Sequence, residues 1–413
     1  MTVITNARVL TMGAGPGASR GGAMSEVGVI ERGEVRLEGG LIAGVGEAGA
    51  LERGDARVFD AGGRVVMPGF VDAHTHLCWA GERLDEWEMK RAGASYLDIL
   101  KAGGGIMSTV RSVRAAGEEE LVGGLLESLE AVLSWGTTAI EVKSGYGLDT
   151  ETELKMLRAI ARAGEIWPGS VVPTALIGHA IDAGGAGGRE AFVDRTVGET
   201  LDAVHAEFPG VAIDAYIEDG SWTRGEGVRL FERAMELGHP VRVHSDQFNE
   251  LGMTRWAHEH GALSVDHLEA TSEDELGALA SSGCFGVMLP CSGFHVDGRY
   301  ADGRGFVDSG GALVLATNWN PGSAPCGSVP EAIALAVRGN GMTAAEGLCA
   351  ATRNAAALLG LDGCGRIEAG ARADIVMLRH RDERALGHDF GGDPALVVWC
   401  GGELVKDGRR RSG

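Results

Sequence analysis

Val71-Asp72-Ala73-His74-Thr75-His76-Leu77 follows directly on the apolar run Val65-Val66-Met67-Pro68-Gly69-Phe70. In an extended strand, residues two apart share a face, so His74 and His76 point the same way. Two imidazoles side by side at the end of a buried strand supply half of a metal site. A lone histidine is usually structural, and the pair alone does not separate a metal site from chance. The rest of the chain has to decide.

Outward from this stretch, the middle of the chain alternates. Apolar strand candidates fall at residues 70–76, 137–142, 171–177, 211–217, 240–244, 263–267, 284–289 and 313–317. Between most of them lie amphipathic segments of helical period, clearest at 121–135, 151–163, 189–208 and 225–236. Strand and helix repeated eight times over about 250–300 residues predicts a (β/α)8 TIM barrel. A doubly wound sheet is the alternative, but no G-x-G-x-x-G opens a helix after the first strand.

A barrel carries its reactive groups at the C-terminal ends of its strands. In order, those positions hold His74 and His76, Lys143, His179, Glu218, His244, His267, Pro290 and Asn318. Four of the eight predicted strands end on or just beyond a histidine, although the chain has only 12. Random placement rarely does this, and the pattern points to a metal-centred site.

Both ends of the chain differ from the middle. Residues 1–65 and 366–413 read as short strands between Gly-rich turns, among them 2–4, 8–10, 27–30, 34–37, 373–378, 396–399 and 403–405. They predict a small β-sandwich domain built from both termini, flanking a barrel at 66–365. Each end then has a sheet to join instead of an unpaired edge.

Composition narrows the class further. Hydrophobic residues make up 44% of 413, ample for a core, and the 67 glycines, many in pairs between periodic segments, read as loops. No apolar, charge-free run reaches the ~18 residues of a membrane span. The N-terminal MTVITNARVL lacks a basic region followed by an apolar core, so no signal peptide is expected. The net charge of −21 argues against nucleic acid as a partner. Seven cysteines without regular spacing read as reduced thiols of a cytoplasmic protein. Cys78 and Cys291, near the motifs, read as small buried hydrophobes.

Three imidazoles, His74, His76 and His244, can surround one divalent ion. Such a site with an open position lowers the pKa of bound water to about 7. His267 is either a further ligand or a polar group steering water or a substrate carbonyl. His179 is a substrate contact or a capped structural histidine. Arg83, in the first loop after a barrel strand, is a surface residue or a carboxylate clamp, for which its planar fork is suited. Tyr146 lies in the Gly-flanked loop Lys143-Ser144-Gly145-Tyr146-Gly147, within reach of a ligand. Asn320-Pro321-Gly322-Ser323 follows the last strand; turn chemistry alone explains Asn, Pro and Gly there, and a functional reading adds polar contacts to substrate.

Several blocks, in order along almost the whole chain, resemble the imidazolonepropionase branch of the amidohydrolase superfamily. They are His74-Thr75-His76-Leu77 with Ala80-Gly81-Glu82-Arg83, Ser95-Tyr96-Leu97-Asp98-Ile99-Leu100, Gly103-Gly104-Gly105-Ile106 and Glu141-Val142-Lys143-Ser144-Gly145-Tyr146-Gly147. His244-Ser245-Asp246-Gln247, Asp266-His267-Leu268, Leu289-Pro290 and Asn320-Pro321-Gly322-Ser323 follow. The resemblance implies one zinc or iron ion and ring-opening hydrolysis of a cyclic amide. The family's substrate is 4-imidazolone-5-propanoate, a small molecule of histidine breakdown. It also implies a homodimer. Carried over by motif, the metal ligands are His74, His76, His244 and the residue at 318. The substrate contacts are Arg83, Tyr146, His179, Gln247, Asn320, Gly322 and Ser323, with Arg83 and Tyr146 near the propionate.

The chain departs from the pattern at 318. The family's Thr-Asp-x-Asn-Pro-Gly is here Thr317-Asn318-Trp319-Asn320-Pro321-Gly322. The usual aspartate touches the metal and moves a proton from water to the leaving nitrogen. Asn318 still offers a carbonyl oxygen but has no titratable proton. Proton transfer then falls to Glu218, with His267 beside it and Gln247 as a polar neighbour. Three explanations follow: a substitution that traps substrate, a relative acting on a modified ring, or a non-catalytic ligand-binding homologue. The modified ring would be the 2-thioxo analogue derived from ergothioneine, whose hydrolysis expels sulfide and needs less protonation. Trp79 and Trp319 point to a reshaped pocket and favour the second.

Overall fold

The computed structural model describes residues 1–13, 15, 17–94, 98–99, 102–184 and 187–409. Ser95, Tyr96, Leu97 and Leu100 of the family-like block at 95–100 lie outside the described residues. The first strands are β1 (Thr2–Leu10), β2 (Val29–Glu38), β3 (Leu41–Glu47), β4 (Arg57–Asp60) and β5 (Val65–Pro68). The barrel strands are β6 (Phe70–Asp72), β7 (Thr137–Lys143), β8 (Ser170–Gly178), β9 (Ala212–Ile217), β10 (Val241–Ser245), β11 (Ser264–His267), β12 (Phe285–Met288) and β13 (Leu313–Leu315). The chain returns through β14 (Ile375–Leu378), β15 (Ala395–Cys400) and β16 (Glu403–Asp407).

Strands β6 to β13 pair in parallel in sequence order. The seam between first and last is closed beyond the ladder. The Asn318 N–H donates to the His74 carbonyl at 3.0 Å, and the His76 N–H to the Trp319 carbonyl at 3.0 Å. The expected (β/α)8 barrel is therefore present, nearly closed by its strands and sealed by these bonds at its C-terminal mouth.

The terminal strands form one mixed sheet in the order β16-β15-β14-β5-β1-β2-β3, with β4 also on β1. Its period-two alternation is buried on both faces. Val66, Ile375, Met377, Val397 and Trp399 enter one apolar cluster with Ile4, Val9 and Phe59. Val65, Met67, Val376, Leu378 and Val398 on the other face join the main cluster of the barrel. The sheet is thereby packed onto the barrel through apolar side chains.

The elements differ from the sequence reading where local geometry bends the pattern. Residues 2–4 and 8–10 are one strand, because Asn6 takes a left-handed φ of 53° and its amide donates to Asp60. The register against β2 shifts on either side of this point, as at a bulge. The expected helix at 189–208 runs as Gly188–Arg195, a single π turn at Thr196–Thr200 and Leu201–Glu207. The first barrel strand ends at Asp72, yet 73–76 stays extended. Its backbone is held by Lys143 N–H to the Thr75 carbonyl, by Thr75 N–H to Glu141 Oε2 and by the two seam bonds. Alternation therefore survives past the strand end. Among the described residues no helix is long and apolar enough to cross a membrane.

Candidate metal centre and substrate pocket

Four barrel strands carry a charge within an apolar run beneath the mouth: Glu141 in β7, Asp214 in β9, Arg242 in β10 and Asp266 in β11. All are buried, as is Lys143 at the end of β7. They neutralise one another. Lys143 Nζ donates to Glu141 Oε1 at 2.5 Å and Asp214 Oδ2 at 2.9 Å. Arg242 donates to Asp266 Oδ2 at 2.7 Å, Glu141 Oε1 at 3.2 Å, Ser264 Oγ at 3.0 Å and the Ala73 carbonyl at 2.8 Å. Lys143, expected among the reactive groups at the mouth, is thus locked into ion pairs below it.

This charged layer orients the histidines above. His74 Nδ1 lies 2.6 Å from Asp266 Oδ2 and His244 Nδ1 3.0 Å from Asp214 Oδ1. A carboxylate on Nδ1 keeps the proton there and leaves the Nε2 lone pair free. Burial pushes the pKa of His74, His76 and His244 below the usual histidine value, so all three are neutral. Burial opposes ionisation of Asp214, but the charges of Lys143 and Arg242 and the hydrogen bond with His244 outweigh it and hold its carboxyl below the usual range.

One potential ligand nitrogen from each of His74, His76 and His244 lies within 4.8 Å of the other two. His76 Nε2 and His244 Nε2 are 3.5 Å apart. Two ligands about 2.0–2.1 Å from one ion at the tetrahedral angle are separated by roughly 3.4 Å. The buried His74 Nε2 and Asn318 Oδ1 have no hydrogen-bond partner. Orphaned buried polar atoms are costly, and a divalent cation among these groups relieves them. The three histidines and the Asn318 carbonyl oxygen therefore fit the expected ion. His76 Nδ1 is buried without a partner of its own.

The other expected residues divide. His179 stacks on His76 with centroids 5.0 Å apart, and its Nδ1 lies 3.0 Å from the Gly145 carbonyl. Burial pushes its pKa down to about 3, so it meets a ligand as a neutral ring. Tyr146 is 5.1 Å from His179 and 6.2 Å from His76 between centroids. Burial raises its pKa, and the charge of Arg83 partly opposes that. His267 is buried at a φ of 93°, its ring 5.6 Å from that of His244 and its Nδ1 3.3 Å from Glu269. Asp246, Leu268 and Asn318 also have positive φ at this rim, where constrained backbone commonly clusters at functional sites.

Three expectations need correction. Glu218, the expected substitute acid, has both oxygens engaged. Oε1 accepts from Asp219 N–H and the Asn249 amide, Oε2 from Phe248 and Asn249 N–H. It anchors the backbone of Phe248 and Asn249. The Asn320 side chain is likewise used inside its own loop, donating to Asn318 O and Ser323 Oγ and accepting from Gly322 and Ser323 N–H. Asn320 and Ser323 thus shape the turn that carries Asn318. Trp79 and Trp319 pack edge to face at 5.8 Å, with Trp135 6.1 Å from Trp319. That apolar packing accounts for both rings without a reshaped pocket.

Sequence reasoning missed Tyr216. Its hydroxyl donates to Gln247 Oε1 at 2.8 Å, and its ring is 6.1 Å from His244. This fixes the Gln247 amide with Nε2 on the side of Ser292, whose Oγ is 3.5 Å away. The signal was available: 214 and 216 share one face of β9, with 218 next in the same alternation, and all three are polar or aromatic.

Comparison with known proteins follows the same lines. The profile described as Amidohydrolase family matches residues 65–405. An imidazolonepropionase of Herpetosiphon aurantiacus is 41% identical over 98% of this chain and 97% of its own. Another, from Symbiobacterium thermophilum, is 40% identical over 100% and 98%. Among solved structures, 5-methylcytosine deaminase from Klebsiella pneumoniae superposes with a TM-score of 0.75 at 17% identity, covering 100% of this chain and 98% of that one. Atrazine chlorohydrolase from Arthrobacter aurescens, complexed with zinc, gives 0.73 at 18%, covering 100% and 96%. At such identity these two speak for the fold alone.

Proposed function

Since this chain belongs to the amidohydrolase family, among its imidazolonepropionase-like members, we propose that it is a metal-dependent hydrolase of an imidazolone-type ring bearing a propionate. It is an enzyme of the class that hydrolyses carbon–nitrogen bonds of cyclic amides. The observation that carries the finer reading is the convergence of three neutral imidazoles, two of them backed by carboxylates, with Arg83 against Gly322 in the turn that follows Asn318.

A divalent ion held by His74, His76, His244 and Asn318 would supply Lewis-acid polarisation of water and of the ring carbonyl. The chain's own residues do the rest. Arg83 takes the propionate carboxylate through its guanidinium. Tyr146 and His179 border the ring, and neutral His179 presents Nε2 while Gly145 fixes Nδ1. Gln247, held by Tyr216, offers its amide N–H groups to a ring carbonyl. His267, beside His244, steers the approach of water. The small-molecule substrate, the cytoplasm and a homodimer complete the proposal; light scattering in solution checks the last.

Two measurements test it. Purified protein should carry about one zinc or iron per chain by elemental analysis; protein free of metal with unchanged ligand affinity overturns the site. Arg83→Ala should weaken binding of propionate-bearing rings by about 10- to 100-fold, the worth of a charged hydrogen-bonded pair. Gly322 supplies a milder version. A Cβ there would lie 2.9 Å from Arg83 Nη1. Gly322→Ala should displace the guanidinium and weaken carboxylate binding about threefold or more while leaving the melting temperature unchanged.

A second reading is favoured by one feature, the amide at 318. Asn318 holds no proton to give to a leaving nitrogen. A 2-thioxo ring hydrolysed at its C=S carbon takes one water and releases sulfide, a leaving group that needs less protonation. Sulfide release measured with the thioxo propionate separates the two readings.

A further inference from the structure

Arg83 immediately precedes an exposed helix, Leu84–Arg91, that buries none of its own residues. The helix is held from outside. Trp87 stacks on His295 at 4.7 Å, and Lys90 Nζ reaches the Val296 carbonyl. Glu86, in its first turn, comes back onto Arg83. Oε2 accepts from Nη2 at 2.6 Å, and Oε1 sits 2.5 Å from Nε, as an ionic contact off the N–H direction. Both side chains are about five-sixths buried, at 16% and 17% exposure. An acidic residue in the first turn is also favoured by the helix dipole.

The guanidinium has two usable edges, Nε/Nη2 and Nη1/Nη2. Glu86 occupies the first. On the second, among the described residues, Nη1 has only a long contact to Thr109 Oγ1, 3.4 Å, and faces the bare backbone of Gly322. Behind Glu86 stands Gly104. A Cβ there would meet Ile99 Cγ2 at 2.7 Å on one side and Glu86 Cδ at 2.9 Å and Cγ at 3.0 Å on the other. The middle glycine of the Gly103-Gly104-Gly105 block therefore leaves room for the carboxylate that holds the arginine.

We propose that Glu86, seated on Gly104, is a positioning residue for substrate specificity: it fixes the Nε/Nη2 edge of Arg83 so that the Nη1/Nη2 edge faces the carboxylate of the substrate. This rests on the reading of Arg83 as the carboxylate clamp. The arrangement selects a single carboxylate. A second anionic group near the first meets Glu86 and is repelled.

The test compares affinities for imidazole-4-propionate and its uncharged propionamide by titration calorimetry on the metal-loaded protein. Wild type should prefer the acid over the amide, and Arg83→Ala should abolish that preference. Glu86→Ala should cut the preference by about 5- to 10-fold, from a loosened charged hydrogen-bond geometry, with amide affinity unchanged. Glu86→Gln, which keeps one acceptor and the shape, should retain part of it, and Gly104→Ala should mimic Glu86→Ala. A general structural role would lower both affinities together and overturns the proposal. So does a preference that is undiminished or larger in Glu86→Ala. No preference in wild type overturns the assignment of Arg83 itself, and the proposal with it; preference lost in Arg83→Ala but kept in both Glu86 variants overturns the proposal alone.

Discussion

Asn318→Asp should raise turnover of imidazolone propionate by about 10²- to 10⁴-fold, the usual worth of general acid–base assistance. The side chain should land where Asn318 lies now. Its backbone is fixed by the N–H bond to His74 and by a φ of 57°, a conformation that aspartate tolerates about as well as asparagine. The buried Oδ1 has no protein partner to lose. The substitution adds a carboxylate that can take a proton from water and return it to the ring nitrogen. Steady-state kinetics of both forms on imidazolone propionate and on its thioxo analogue decide the matter. An unchanged rate on the imidazolone would mean that another group already moves the proton. Sulfide release by the Asn318 form, not improved by aspartate, would establish the modified-ring reading.

Lys143→Met should destabilise the fold by about 3–5 kcal/mol, the cost of removing one partner from a buried ion pair. The ammonium is the direct contact between Glu141 and Asp214. Without it two buried carboxylates lie in the barrel, with Arg242 paired to Glu141 and Asp266. Denaturant unfolding followed by tryptophan fluorescence measures the change. Because Asp214 also orients His244, metal affinity should fall in the same variant. A loss of stability below about 1 kcal/mol, as for an exposed pair, would show that water reaches this layer.

The histidines were legible because their spacing repeats a rule: His74, His76, His244 and His267 recur where barrel strands stop. Arg83 and Asn318 needed the family resemblance, since a lone arginine or an Asn-Pro-Gly turn has many ordinary explanations. The charged layer was not singled out. Glu141, Asp214, Arg242 and Asp266 each interrupt an apolar strand once, which in a single strand is no more than an exception. Only closure of the barrel brings the four exceptions to one level. Glu218 and Asn320 misled for the opposite reason. Their residue types suit chemistry and their positions are right, but nearby backbone N–H groups had claimed their oxygens. Tyr216 was hidden by being aromatic in a strand, where such residues are expected anyway.

The pairing of β14 with β5, Ile375 against Pro68 and Met377 against Val66, has a consequence for biosynthesis. Residues 65–68 leave the ribosome early with one edge unpaired, and their neighbour does not exist until residues 375–377 have been made. Through most of translation this apolar edge is open beside a barrel whose last strand is also missing. A chain truncated before β14 should therefore expose this edge and aggregate more readily than the full-length chain.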